Sequence, residues 1–264
     1  MAKYLRLFET VADKQAATLD YPNINYTIQD GSLEILESAP VPPVAFGGLT
    51  VKYNIADPTV EITLFNGGGG SSSSSSSSSS ESGGGGVMPT RMIVDGNEET
   101  PINTWRFETA GEHVVQYEFE DNIVPGGFLD GNVPVAKEVI VGDDITEISY
   151  DADINRGAFG DSYITAATIG NGVTTIGNDA FASCLSLTTA TIGTGITTIG
   201  DGAFADCTGL TSITVEATTP PALGDSVFYN VSSDFVIYVP TASVNTYKEA
   251  SGWSDWANRI QAIS

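Results

Sequence analysis

Apolar residues in the last third of the chain recur every 23 positions, far outside the period of an isolated helix or strand. Ile176, Phe181, Cys184, Leu187 and Ile192 return in the same order and spacing as Ile199, Phe204, Cys207, Leu210 and Val215. A unit this short cannot bury its own apolar face, so the period predicts stacked turns of a solenoid with these residues as the repeat core. The pattern extends backwards. Ile164, Ile169 and Val173 precede Leu187, Ile192 and Ile196 by 23, and Ala158-Phe159 precede Ala180-Phe181 by 22. Val141 to Ile148 repeats the rhythm of Ile169 to Ile176. Residues 141–240 are thus expected to form roughly three to four turns, near the minimum for a stacked core.

Elsewhere the pattern switches to short alternating runs. Asn23–Thr27, Leu33–Leu36, Leu49–Ile55 and Val60–Phe65 read as strands punctuated by Pro22, Pro40, Pro42, Pro43 and Pro58. Residues 1–66 are too few for a strong core of their own. They are read as a small extended β segment that anchors on another protein. Residues 67–86 are a Gly/Ser linker with an r.m.s. reach of about 25 Å, expected to tether independent bodies. Beyond it, Met92–Val94, Thr104–Phe107 and His113–Phe119 read as strands separated by Asp95-Gly96-Asn97 and Thr109–Glu112 turns. Residues 87–140 are therefore expected to be a β cap on the open start of the solenoid. At the far end, Asp234–Pro240 reads as a last strand. Thr241 is placed as N-cap of a helix over 242–250, and Trp253, Trp256, Ile260 and Ile263 at helical spacing make 241–264 a helical cap.

Composition narrows the function. Acidic residues outnumber basic ones 33 to 10, a net charge of -23, which repels phosphate backbones and anionic headgroups and excludes nucleic acid as a partner. No run approaches the ~18 apolar residues of a membrane span, so membrane insertion is not expected. Met1–Glu9 has no uninterrupted apolar stretch of the secretory kind, which points to synthesis and folding in a cytoplasm. Cys184 and Cys207 occupy one position of adjacent turns, about 5 Å apart, which leaves a bridge and a pair of buried thiols both open.

Catalytic constellations are missing. His113, the single histidine, falls in an alternating strand, where a packed or surface role outweighs that of a base. No nucleophile elbow, phosphate loop or paired Cys/His ligand spacing occurs, and catalytic, cofactor and metal sites are all read as none. Asp151–Gly157 opens like a calcium loop but has Arg156 at the glycine position and Ser162 in place of the bidentate glutamate. Trp105, Trp253 and Trp256 are sugar-stacking candidates, the last two better suited to the cap. The Thr-rich runs Thr188–Thr191, Thr197-Thr198 and Thr211–Thr214 are expected to stack into polar ladders.

These residues carry two resemblances. Thr175–Leu187 and Thr198–Leu210 resemble the BspA-like class of leucine-rich repeats, and Ile237–Pro240, Tyr247-Lys248, Ser251–Trp253 and Arg259–Ile263 resemble the terminal cap of such arrays. The resemblance implies a mainly β, short solenoid with one strand per turn, of the kind found in surface adhesins and phage-encoded receptor-type proteins. The opening Tyr4–Thr10 and Tyr21–Tyr26 is similar to virion proteins of tailed phages of gut bacteria, including the crAss-like group. It implies a non-enzymatic virion protein, a capsid head fibre or decoration protein. Tyr4, Leu5, Leu7, Phe8, Tyr21, Pro22, Ile24 and Tyr26 would dock on capsid or other virion proteins, and the solenoid would meet a host surface protein or glycan. A homodimer or homotrimer at the virion surface is expected. A tail-associated receptor-binding fibre and a bacterial repeat adhesin are the alternatives.

Overall fold

The computed structural model describes residues 26–29, 32–35, 47–65, 88–129, 135–151 and 156–263. The chain divides into two compact units, Met1–Ala45 and Phe46–Ser264. In the first, β1 (Tyr26–Gln29) pairs antiparallel with β2 (Ser32–Ile35). Of the anchoring residues read from the sequence, Tyr26 begins β1. Tyr4, Leu5, Leu7, Phe8, Tyr21, Pro22 and Ile24 lie outside the described residues, as does the linker 67–86.

The second unit carries β3 (Leu49–Ile55), β4 (Ile62–Thr63), β5 (Arg91–Val94), β6 (Asn97–Glu99), β7 (Thr104–Trp105), β8 (Gly111–Glu118), β9 (Ile123–Val124) and β10 (Ala136–Val141). Next come β11 (Glu147–Ile148), the antiparallel pair β12 (Tyr150–Asp151) and β13 (Arg156–Gly157), β14 (Ala166–Ile169), β15 (Thr175–Ile176), β16 (Thr189–Ile192), β17 (Thr198–Ile199), β18 (Ser212–Val215), β19 (Ala222–Leu223) and β20 (Val236–Val239). The helix α1 (Val244–Glu249) and β21 (Ile260–Ala262) complete the order. The molecule is mainly β, and its sheets stay open.

The repeat makes one longer and one two-residue strand per turn. β10, β14, β16, β18, β20 and β21 pair in parallel in that order, while β9, β11, β15, β17 and β19 form a second parallel ladder. Period-2 burial explains the longer strands. Ala190, Ile192, Ile213 and Val215 face the core while Thr191 and Thr214 do not, and β-branched residues suit that half-buried surface. The corner residues Asp161, Ser183 and Asp206 take a left-handed backbone and donate their N–H to the next turn at Ala182, Ala205 and Tyr229, each at 2.8 Å. Gly172 and Gly195 stand where a Cβ would lie 1.7 Å from the Asp143 carbonyl and 2.0 Å from that of Asn171, so neighbouring backbones leave room for glycine alone.

Inside the turns the phenylalanines stack. Ring centroids of Phe159, Phe181 and Phe204 are 5.0 Å apart in succession, and Phe228 comes next at 6.0 Å. The repeat-core residues Ile176, Phe181, Cys184, Leu187, Ile192, Ile199, Phe204, Cys207, Leu210 and Val215 are all fully buried.

Three expectations need correction. The parallel array runs beyond residues 141–240: β14, β16, β18 and β20 fall within them, in keeping with three to four turns, while β10 and β21 extend the main sheet on either side into the segments read as caps. The C-terminal segment is less helical than its spacing implied. Thr241 makes no side-chain cap bond, α1 begins at Val244, Trp256 sits in a 3-10 turn, and Ile260 starts a strand parallel to β20. The i, i+3, i+4 spacing there arises from a turn that runs into a strand end. Trp253 is buried, with its indole N–H on the Pro221 carbonyl at 2.8 Å.

The third correction concerns the linker. Residues 49–65 pack with strands on the C-terminal side of the Gly/Ser run: β3 pairs antiparallel with β8 on one side and β10 on the other, and β4 pairs with β7. The main sheet therefore continues from β10 through β3, β8, β5 and β6. The boundary between bodies falls at residue 45, and the described residues before and after the Gly/Ser run belong to one compact unit. Leu49, Val51, Tyr53, Leu64 and Phe65 are fully buried there. The Tyr53 hydroxyl donates to the Leu64 carbonyl at 2.6 Å and lies 2.9 Å from the Tyr117 hydroxyl, while Phe65 stacks on Phe128 at 5.1 Å. Burying each such side chain contributes about 1.5–3 kcal/mol, and that gain overrides the independence that the linker composition implied.

Cleavage at a protease site engineered into the Ser run should therefore leave both fragments together on native gel filtration and separate them only in denaturant. Phe181→Ala should cost about 3–5 kcal/mol in urea unfolding. Leu185→Ala, at a position 61% exposed, should stay within about 0.5 kcal/mol.

Candidate binding surface

The turns carry two kinds of threonine. Thr165, Thr188 and Thr211 enter successive strands, and their hydroxyls donate to the carbonyls of Lys137, Thr165 and Thr188 at 3.0, 2.9 and 3.1 Å. Thr174 and Thr197 do the same on the second ladder, to Thr146 and Thr174. These hydroxyls are committed to holding turn on turn. Asn178 and Asp201 add to this by accepting the N–H of Asp201 and Asp225 at 2.9 and 2.8 Å.

The second kind stands on the open face of the main sheet. Thr168, Thr191, Thr214 and Tyr238 are directly paired across β14, β16, β18 and β20, and Ala166, Thr189, Ser212 and Val236 form the parallel row. Among the described residues, the hydroxyls of Thr168, Thr189, Thr191, Ser212 and Thr214 have no hydrogen-bond partner within the chain. Strand spacing sets them about 4.8 Å apart from turn to turn. None of these four strands carries a charged residue. On a chain with a net charge of -23, this face is a neutral strip of hydroxyls with one aromatic ring. At its border, where parallel pairing gives way to antiparallel, Lys52 and Glu138 neutralise each other at 2.7 Å.

Such a face offers hydrogen bonds without field. It suits neutral, hydroxyl- or amide-rich partners, and repels neither sugars nor uncharged peptide. Sequence reading grouped all the Thr-rich runs together and did not separate the committed from the available hydroxyls. Tyr238 and Thr168 were missed as members of the row, although Thr168 lies 23 residues before Thr191. None of the three tryptophans joins it: Trp105 is half-buried beside β4, Trp253 is buried, and Trp256 packs edge-on against Phe228 and Phe235.

Other candidates resolve into packing. His113 is buried in β8, its Nδ1 2.6 Å from Asp95 Oδ2, its Nε2 2.9 Å from the Thr109 carbonyl, and its ring stacked on Phe107 at 4.1 Å. Both nitrogens face acceptors, so neither is left to act on a substrate. Cys184 and Cys207 are free, buried thiols that donate to the carbonyls of Phe159 and Phe181 at 3.1 and 3.0 Å. The neighbouring Cys184, and then burial, push the Cys207 thiol well above the usual thiol range. Asp151 and Arg156 of the calcium-like run are paired across β12 and β13, and the residues between them lie outside the described set. Among the described residues no cluster of His, Cys, Asp or Glu is arranged to hold a metal ion, and no helix is long and apolar enough to cross a membrane.

Residues 142–251 match the family model described as BspA type leucine rich repeat region, in six copies. No curated protein matches the chain. A repeat region of this class points to an adhesive or surface-binding protein.

One acidic position stores a pH dependence. Burial, and then the neighbouring Asp201, raise the Asp179 carboxyl above its ordinary value, and its backbone is left-handed. An acid raised in the folded state destabilises the fold once pH exceeds its folded value, and the cost disappears as pH falls toward the ordinary aspartate value of about 3.9. Asp179→Asn, which tolerates the same backbone, should raise Tm at pH 7 by the order of 1–2 °C. Thermal melts across pH should show that gain shrinking to nothing at low pH.

Proposed function

We propose that this chain is a non-enzymatic display protein of a tailed-phage virion, a head fibre or capsid decoration protein that makes adhesive contacts through the open face of its repeat sheet. The observation that carries the adhesive part is the neutral row of unpartnered hydroxyls and Tyr238 on an otherwise strongly acidic chain. Its partner is a host surface protein or glycan. Contacts of this kind are individually weak and gain strength from many copies on one particle. The engagement of both His113 nitrogens supports a role without catalysis.

The virion part is supported by the likeness of Tyr4–Thr10 and Tyr21–Tyr26 to virion proteins, and by the separate unit Met1–Ala45, of a size suited to docking. A head position is favoured because a tail fibre usually has a long rigid shaft. The β3, β8, β5 and β6 strands at one end, and α1 with Trp253 at the other, act as the two caps of the array.

Gold-labelled antibody against residues 142–251, imaged on purified particles, should decorate the head. Label at the tail would make the chain a receptor-binding fibre. Bare particles beside labelled bacterial cells would make it a cellular adhesin. For the adhesive face, Thr191→Lys with Thr214→Lys should cut binding to host cells or glycan arrays at least tenfold with Tm unchanged. Unchanged binding would remove the face from the proposal.

A further inference from the structure

We propose that the slot between β8 and β10 accepts β3 from a second copy of this chain as well as from its own, so that closely held copies exchange the segment 47–65 and become strand-linked oligomers. The inference is independent of the adhesive reading and rests on how that segment is bound.

The segment 47–65 behaves as a donor module. Its strand pairs, β3 with β8 and with β10 and β4 with β7, are all made to residues beyond the Gly/Ser run. So are the Tyr53–Tyr117 hydroxyl contact, the Phe65–Phe128 stack and the bonds from Asn54 N–H to the Val135 carbonyl and from Leu64 N–H to that of Asn103. None of these contacts depends on which chain supplies the strand. Without β3, β8 and β10 would each present an unpaired edge in the middle of the sheet, a template for an extended strand.

The occupant is specified by side chains. Lys52 is one of only 10 basic residues in the chain and meets Glu138 at 2.7 Å across the seam, on the open face. Tyr53 brings a hydroxyl to the buried Tyr117 hydroxyl, on the opposite face. Together they fix register and face for a strand of this sequence, since a one-residue slip would turn Lys52 into the core. The remaining covalent link between donor and slot is a run of Gly and Ser, whose composition imposes no path and gives its own slot an effective strand concentration in about the millimolar range. A second copy competes when copies reach a similar local density, as in an array on a particle.

The test uses the full chain in two differently tagged forms, each with Thr50→Cys and Ile140→Cys. These positions are directly opposed in β3 and β10, at a separation a disulfide spans. The forms are refolded together over a concentration series, oxidised, and run on non-reducing gels. Exchange predicts mixed-tag covalent dimers, their ratio to monomer rising about tenfold per tenfold in concentration while exchanged chains are the minority. Monomer with an internal bridge at every concentration overturns the proposal. Should the cysteine form not fold, the wild-type pair decides. Co-purification of tags after joint refolding, and not after mixing folded proteins, supports exchange. Co-purification in both or in neither overturns it.

Discussion

The structure depends on one constraint: each turn of the repeat must present its carbonyls and its apolar face in register to the next. Backbone pairing alone does not fix that register, because the main-chain groups are alike at every residue; the side chains decide it, since a one-residue slip would turn the buried face outward. Here it is fixed several times over. Threonine hydroxyls at the strand entrances, Asn and Asp side chains at the turns, thiols on phenylalanine carbonyls and the phenylalanine stack all link residues one turn apart. The shared period of these links makes the sheet straight in register and leaves the outward row of hydroxyls regular as a by-product.

The same constraint explains which parts of the fold were legible. A residue whose partner is its own equivalent one turn away leaves a period in the sequence, so Phe181, Cys184 and Leu187 could be placed in a core from their spacing. A residue whose partner is remote and unlike itself leaves none. Val51 lies between Val115 and Val139, and nothing in the local sequence joins the three. The Gly/Ser run between them read as the border of two bodies because composition reports what a segment is, not where its ends return. At the C-terminus, Trp253, Trp256 and Ile260 kept helical spacing by coincidence of a 3-10 turn with the start of a strand.

The candidate surface was half legible for a related reason. Alternation placed threonines on strands, but Thr188 and Thr189 are neighbours of identical type with opposite employment: one hydroxyl holds the preceding turn, the other faces outward. Only hydrogen-bond partners separate them. The same holds for His113, whose position in the strand was evident while its clamp between Asp95 and Thr109 was not.

The left-handed corners at Asp161, Ser183 and Asp206 carry a consequence for the history of such a chain. Because each corner binds the next by a bond of the same form, a turn can be duplicated or lost as a unit without asking either end of the array to change. The breadth of the outward strip is then a copy number rather than a shape. Unequal recombination, by adding one 23-residue unit, would widen it by about 4.8 Å and leave its chemistry intact.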